Sequence, residues 1–396
     1  MTRTATRTVS IDRTAPVRYL ACELGWNDWT WAFATGPADA PRLRTIAGRR
    51  TAVLLAEVAK AKQRFGLPAD ARVVSCYEAG RDGLWWHRLL AAQGIANHVV
   101  DSSSIEVQRR GRRRKTDQLD VGKLLSMRMR WHQGEPKVWS VVQVPSVADE
   151  DRRQLHRDLT EIKAERTQHS NRIKGLLAGC GLAVPKVDEN FPEGLAALRT
   201  WDDQPLPEAL QQRLLREHQR WQLADRHVTD LENERARKIR TSAEEPVTKV
   251  RKLLGLRGIG ANSAWLYVME FFGGRQIKNR KQLGALAGLT PTPYRSGTSD
   301  HEQGISKAGN RRLRTMAVEI AWCWLPYQPP SALSVWYEQR FGHGHSRQRR
   351  IGIVALARQL LVAMWRYLET AEVPAGAATV EEKWKKRGPK AEEAVA

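Results

Sequence analysis

Three apolar runs of strand type stand close together near the start of the chain, before any run of helical spacing. That order restricts the fold more than any other feature. Residues 17–24 (Val-Arg-Tyr-Leu-Ala-Cys-Glu-Leu) read as a strand, Gly25 to Asp28 as a turn, and Trp29 to Thr35 as a second strand. Pro41 to Ala47 is a third candidate. Connections of a few residues point to antiparallel hairpins. The pattern then alternates. Residues 50–65 place Val53, Leu54, Val58 and Ala61 at helical spacing, and residues 71–78 read as a strand ending on an acid. A helix follows around Leu84 to Leu90, then a short strand from Ala96 to Val100 and a helix from Asp117 to Arg130. Strands separated by helices suggest parallel crossovers.

This order is that of an RNase H-like sheet, and it predicts an α/β domain over residues 15–146. Pro136 to Pro145 is an extended passage bounded by prolines. From Asp149 to Leu177 the period becomes helical among many charges, Gly179 to Phe191 breaks it, and Pro207 to Ala243 resumes it. Two long charged helices around a break read as a helical hairpin or coiled-coil arm over residues 147–245, and equally as part of an ordinary bundle. Residues 246–370 read as a mostly α-helical domain. The polar tail 1–14 and the basic tail 371–396 are expected to be disordered.

A net charge of +22 over 396 residues favours a polyanionic partner. No stretch approaches the roughly 18 apolar residues of a membrane span, and the N-terminus lacks the apolar core of a signal peptide. Cys22, Cys76, Cys180 and Cys323 are far apart and show no metal-ligand spacing, which fits a reduced, cytoplasmic setting with no membrane partner. Most of the fifteen tryptophans are expected to pack in cores, with a few free to stack on bases.

One segment carries chemistry directly. Arg109, Arg110, Arg112, Arg113, Arg114 and Lys115 lead straight into Asp117 and Asp120. Spacing of three puts those carboxylates on one helix face. Cations hold phosphates and paired carboxylates hold Mg²⁺, so the adjacency suggests phosphodiester chemistry on nucleic acid; a solvated charged face is the bland alternative. Glu23 and Glu78 sit where strands end, and Asp28 rivals Glu23. In an RNase H-like sheet these acids and one helix face converge on one edge, so Glu23, Glu78, Asp117 and Asp120 form a candidate four-acid cluster. Oxygen ligands alone suit Mg²⁺ or Mn²⁺.

In the last domain, Leu256-Arg257-Gly258-Ile259-Gly260 has the Gly-hydrophobe-Gly turn of a helix–hairpin–helix, whose backbone N–H groups bind phosphate without sequence preference. A plain helix turn is the alternative. Pro291 to Ser299 cannot be regular helix and reads as a loop presenting hydroxyls. Ser296 with Gly297 behind it, near Lys307, Arg311, Arg312 and Arg314, is either a nucleophile beside phosphate-binding cations or a common turn dipeptide.

Together these motifs resemble the transposases of the insertion sequence 110 family, the bridge-RNA-guided DNA recombinases. The resemblance covers residues 17 to 330 and rests on Lys115-Thr-Asp117-x-x-Asp120, on Asp151-Arg152-Arg153 and on Arg166-Thr-x-His169-x-Asn171-Arg172-Ile173-Lys174. It also rests on Arg257 to Gly260, Ala287-Gly-Leu-Thr-Pro291, Ser296-Gly297, and Ile305-Ser-Lys307-x-Gly309-Asn310-x-x-Leu313-Arg314. The resemblance implies a RuvC-like domain whose acid set falls on Glu23, Glu78, Asp117 and Asp120, and a transposase domain with its catalytic serine at Ser296. It further implies Mg²⁺ at the acids, a structured guide (bridge) RNA, DNA at the element ends and target, and a homo-oligomer of dimers assembling to a tetramer. Arg172, Lys174, Gly258 and Gly260 fall on family positions and are expected at nucleic acid. The family usually carries Asp at the first acid, where this chain has Glu23. Ser299 is a second nearby hydroxyl. A metal-dependent junction nuclease and an inactive nucleic-acid-binding remnant are the competing readings.

Overall fold

Strand β1 (Val17–Leu24) is the centre from which the first unit grows. It is followed by β2 (Asp28–Ala34), β3 (Arg42–Ala47), α1 (Thr51–Arg64), β4 (Arg72–Glu78), α2 (Trp85–Ala92), β5 (Ala96–Val100) and α3 (Asp117–His132). The computed structural model describes residues 17–105, 117–135, 137–183, 186–296 and 299–380. The five strands form one sheet in the order β3-β2-β1-β4-β5. The β1–β2 and β2–β3 pairs are antiparallel, and β1–β4 and β4–β5 are parallel.

Both faces of this sheet are covered, which is why β1 reads as a nearly unbroken apolar run. Tyr19, Ala21, Val74 and Cys76 meet Val121, Leu124 and Leu125 of α3 on one face. Leu20, Cys22, Val73 and Tyr77 meet Leu54 and Val58 of α1 and Trp86 and Leu90 of α2 on the other. Trp86 packs edge-on to Trp29 at 4.7 Å and stacks with Trp31 at 6.1 Å, so these tryptophans are core. The proline-bounded passage runs along β5, where Val142 N–H donates to Val99 O at 2.8 Å.

The second unit begins at Pro145. Its helix α4 (Val147–Ala178) starts at Ser146, whose side chain accepts from Asp149 N–H and satisfies one orphan donor of the first turn. Then come α5 (Phe191–Ala197), α6 (Glu208–Thr241), α7 (Glu245–Leu254), α8 (Ala261–Tyr267) with a π turn over Val268–Phe272, and α9 (Arg280–Leu286). Strands β6 (Pro291–Ser296) and β7 (Ser299–Ile305) precede α10 (Arg311–Tyr327), α11 (Ala332–Tyr337) and α12 (Ser346–Thr370).

Helices α4 and α6 pair antiparallel within one chain. Lys163 reaches Glu232 at 2.5 Å, Arg166 reaches Asp225 at 2.6 Å, and His169 reaches Glu217 at 2.8 Å, so the partner number falls as the residue number rises. The arm and the last helices fall in one compact unit that starts at Pro145.

Three expectations are corrected here. Pro291 to Ser299 is not a loop but most of a two-stranded hairpin, with Tyr294 opposite His301 and Ser296 opposite Ser299. A register irregularity between Pro291 and Pro293 accommodates the prolines. The expected disordered C-terminus is docked as far as Val380: Arg257 N–H donates to Ala378 O at 3.2 Å, Val380 N–H to Gly255 O at 2.9 Å, and Ala377 is buried. The tails 1–14 and 381–396 lie outside the described residues. Finally, α12 is long and apolar enough, by length and composition, to cross a membrane. Its Ile353, Leu356, Leu360, Leu361 and Met364 are buried in the core of the second unit, against α10 residues such as Ile320 and Trp324.

Candidate functional site

Strand alternation decides where the acids go. Glu23 follows Tyr19 and Ala21 in parity, and Glu78 follows Val74 and Cys76, so both fall on the α3 face of the sheet. The last paired residues of β1 and β4 are Cys22 and Tyr77, which leaves Glu23 and Glu78 side by side one step further on. Asp117 opens α3 and Asp120 closes its first turn, at the N-terminal end where a carboxylate also favours the helix dipole. Glu78 and Asp117 are exposed, and Glu23 and Asp120 half-buried. Asp28, the rival of Glu23, begins β2 on the same face by parity with Ala32 and Ala34.

The donor set is all oxygen and stands on one face, chemistry that fits Mg²⁺. As the side chains lie, no three His, Cys, Asp or Glu among the described residues are grouped closely enough to hold a metal ion. The basic strip of Arg109, Arg110, Arg112, Arg113, Arg114 and Lys115 lies outside the described residues.

Deeper along the same face the titratable groups are held in uncharged or costly states. Burial pushes the Cys76 thiol up to about 12 and the Arg128 guanidinium down to about 10. Burial and then Arg128 bring His98 down to about 4, so its ring is neutral at pH 7. Tyr19 Oη and His132 Nδ1 are hydrogen-bonded at 2.9 Å. These groups position α3 on the sheet.

Ser296 ends β6 and pairs across the hairpin with Ser299, so it stands at the tip, beside Gly297 and Thr298, which lie outside the described residues. The base of the hairpin is interlocked. Ser306 N–H donates to Thr290 O at 2.8 Å, Lys307 N–H to Gly288 O at 3.1 Å, and Asn310 N–H to Leu286 O at 2.9 Å. Gly288 has φ +66°, and a Cβ there would lie 2.4 Å from Ala308 O; Gly309 has φ +119°, and a Cβ there would lie 2.4 Å from Leu286 O. Only glycine fits both places. Asn310 caps α10 by accepting from Leu313 N–H at 3.1 Å.

The expected phosphate-binding residues divide. Lys174, Lys307 and Arg311 are exposed. Arg312 stands 3.5 Å from Glu161 of α4. Arg314 spends Nη1 on the carbonyls of Ala287 and Lys307, at 3.3 and 3.0 Å, and so braces the hairpin base. Arg172 turns to Glu217 at 3.0 Å inside the arm, where His169 and Arg220 also converge. Burial pushes Glu217 up, but the hydrogen bonds from His169 and Arg172 hold it below the usual carboxylate range. Gly258, at φ +85°, lets the turn approach Tyr327, whose Cβ would be 3.0 Å from an added Cβ. Gly260 caps α8 and is exposed. Gln328 Nε2 and Ala378 bind Arg257 on either side of its peptide, so this turn is clamped from within the unit.

A cationic face of α12, carrying Arg347, Arg350, Arg358 and Arg366, was not singled out by sequence pattern. Its signal was available as arginines recurring among apolar residues of a helical run.

Comparison with known proteins places this geometry in a family. Residues 250–336, from α7 through the hairpin to α11, match the family model described as Transposase IS116/IS110/IS902 family. The chain is 38% identical over 375 residues to the protein named "Putative transposase y4rJ" from Sinorhizobium fredii, covering 91% of this chain and 93% of that one. It is 26% identical to the transposase for insertion sequence element IS1328 of Yersinia enterocolitica, covering 53% of this chain and 60% of that one. It is 25% identical to the transposase for insertion sequence element IS1111A of Coxiella burnetii, covering 60% and 61%. A family model matched across the hairpin and its base, and a relative similar along nearly its whole length, lead to one conclusion: the chain belongs to the IS116/IS110/IS902 family of transposases.

Proposed function

We propose that this transposase is an RNA-guided DNA recombinase that works through a phosphoserine at Ser296 and an acid site on an RNase H-like, RuvC-like domain. The observation that carries the reading is the bracing of the β6–β7 hairpin. Gly288, Gly309, Asn310 and Arg314 all serve to fix its base, and its tip is Ser296. A nucleophile needs such fixed placement, because a displacement of about 1 Å costs rate. The strand order β3-β2-β1-β4-β5 and the shared face of the four acids support the RuvC-like assignment.

In this reading Ser296 Oγ attacks a DNA phosphorus. The P–Oγ bond forms, the bond to one DNA oxygen breaks, and the proton of the hydroxyl goes to the medium while the displaced oxygen gains one. The number of phosphodiester bonds is unchanged, so religation by the reverse displacement needs no further energy source. Glu23, Glu78, Asp117 and Asp120 would hold Mg²⁺, whose chemistry there is neutralisation of charge on the phosphoryl oxygens. Base pairing with a structured RNA would read sequence while the protein reads backbone and duplex shape. Acids of one subunit would serve the serine of another in a homo-oligomer, dimers assembling to a tetramer.

Strand exchange between the joined element ends and a target duplex tests this, with purified protein, the element's noncoding RNA and Mg²⁺. Ser296→Ala abolishes exchange and Ser299→Ala retains it. Cleavage that persists in Ser296→Ala would instead make the protein a metal-dependent nuclease acting through its acids alone.

A further inference from the structure

The second unit contains an open groove of about 1250 Å³ between α12, the start of α9, the base of the β6–β7 hairpin and the segment after α12. Its floor is aliphatic, from Leu289, Ile305, Val354 and Val362 among others. Its rim carries Arg280, Lys281, Arg347, Arg350, Arg358 and Arg366 against, among the described residues, one carboxylate, Glu372. None of these six cations has an ion-pair partner among the described residues, whereas Arg152, Arg157, Lys163 and Arg166 of the same unit all do. From Arg347 to Arg366 the cations run along about 28 Å of helix at 1.5 Å per residue. Gathering like charges without counterions costs repulsion that a polyanion removes.

The groove is continuous with the nucleophile's own support. Pro291, Gln303, Gly304 and Ile305 wall it, and Ser296 stands further along β6 from Pro291, about 17 Å at 3.4 Å per residue. That length corresponds to roughly five phosphates of one strand of duplex. Among the described residues the lining is aliphatic and cationic, a surface suited to sugar and phosphate rather than to stacked bases. The aliphatic floor suits deoxyribose; the 2′-hydroxyls of RNA laid on it would lose water without gaining partners.

We propose that this groove seats the phosphodiester backbone of the DNA strand that Ser296 attacks, a proposal that rests on the serine reading of the hairpin. The rim cations neutralise successive phosphates and lead the strand along β6 to the tip.

The test is a salt titration of binding by the full-length protein to labelled duplex carrying the joined element ends, and separately to the element's noncoding RNA. In R350Q/R358Q/R366Q, DNA affinity falls about tenfold or more at 0.1 M salt, and the slope of log K against log salt flattens by about 2.7, from about 0.9 for each phosphate contact removed. The corresponding triple Lys variant keeps the slope, and RNA affinity is unchanged in both. Unchanged DNA affinity and slope, or a loss that falls on RNA instead, overturns the proposal. If the triple Gln variant fails to show wild-type thermal unfolding, photocrosslinking of wild-type protein to iodouracil-substituted DNA decides: crosslinked peptides from residues 347–366 support the seat, and their absence overturns it. Normal binding by groove variants while wild type still forms a DNA–protein adduct overturns the groove alone. Lost binding in the groove variants with no adduct from wild type overturns the serine reading and leaves the groove.

Discussion

Gly309 shows how one residue without a side chain fixes the base of a hairpin. Its φ of +119° and the 2.4 Å approach of Leu286 O to a would-be Cβ exclude any side chain. Gly309→Ala is expected to destabilise the second unit by about 1–3 kcal/mol and to lower adduct formation, read by thermal unfolding and by the yield of protein–DNA link. A variant as stable and as active as wild type would show that the brace does not position Ser296. The motif residues Gly288, Gly309, Asn310 and Arg314 were legible in sequence as a pattern. Their job was not, because it depends on backbone carbonyls contributed by Leu286, Ala287 and Ala308. His98 offers a pH signature at the same scale. Its folded value of about 4 lies below the ordinary 6.5, so the neutral ring is favoured in the native state. Its contribution is full above about pH 6.5 and is lost as pH falls towards 4, where the unfolded chain takes a proton that the fold refuses. His156 of the second unit, also at about 4, behaves the same way, burial being the main cause, with Glu270 opposing it and Arg235, Arg312 and Lys163 reinforcing it. His98→Asn should flatten the loss of stability of the first unit between pH 6.5 and 4; an unaltered profile in denaturant titrations would rule out His98 as its source.

Among the elements, the α4–α6 arm is held by charges that meet across it rather than by an apolar seam alone. Glu217 is nearly enclosed and gathers His169, Arg172 and Arg220. Glu217→Ala leaves Arg172 and Arg220, both partly exposed, without their shared carboxylate and should cost about 1–2 kcal/mol, seen as faster amide exchange over the middle of α4 and α6. Exchange unchanged there would mean that the apolar contacts suffice. The periods of these helices were legible because each runs for many turns. Their pairing within one chain was not, since the same pattern serves a hairpin, a bundle or an assembly between subunits. The β6–β7 hairpin was missed for a local reason: Pro291 and Pro293 hide a strand whose partner begins at Ser299. The docked stretch 371–380 was missed because its contacts are backbone hydrogen bonds to Gly255, Arg257 and Gln328, which composition does not encode.

For the whole molecule, the candidate sites fall in two units. The first presents four acids on one face of a mixed sheet, and the second presents Ser296 on a braced hairpin beside a cationic groove. The strand order and the acids at strand ends were readable from residue 17 onward, because periodicity reports burial directly. The groove was not, since its cations come from α9 and α12, far apart in sequence. In the proposed reaction the acids and the serine act together. Trapping decides this: full-length protein is incubated with the element's noncoding RNA, labelled DNA bearing the joined ends, and Mg²⁺, then denatured. The expected result is DNA covalently linked to the peptide containing Ser296, with the link lost in Ser296→Ala and in Asp117→Ala. Metal-dependent cleavage without any link, or a link that survives Ser296→Ala, would contradict it.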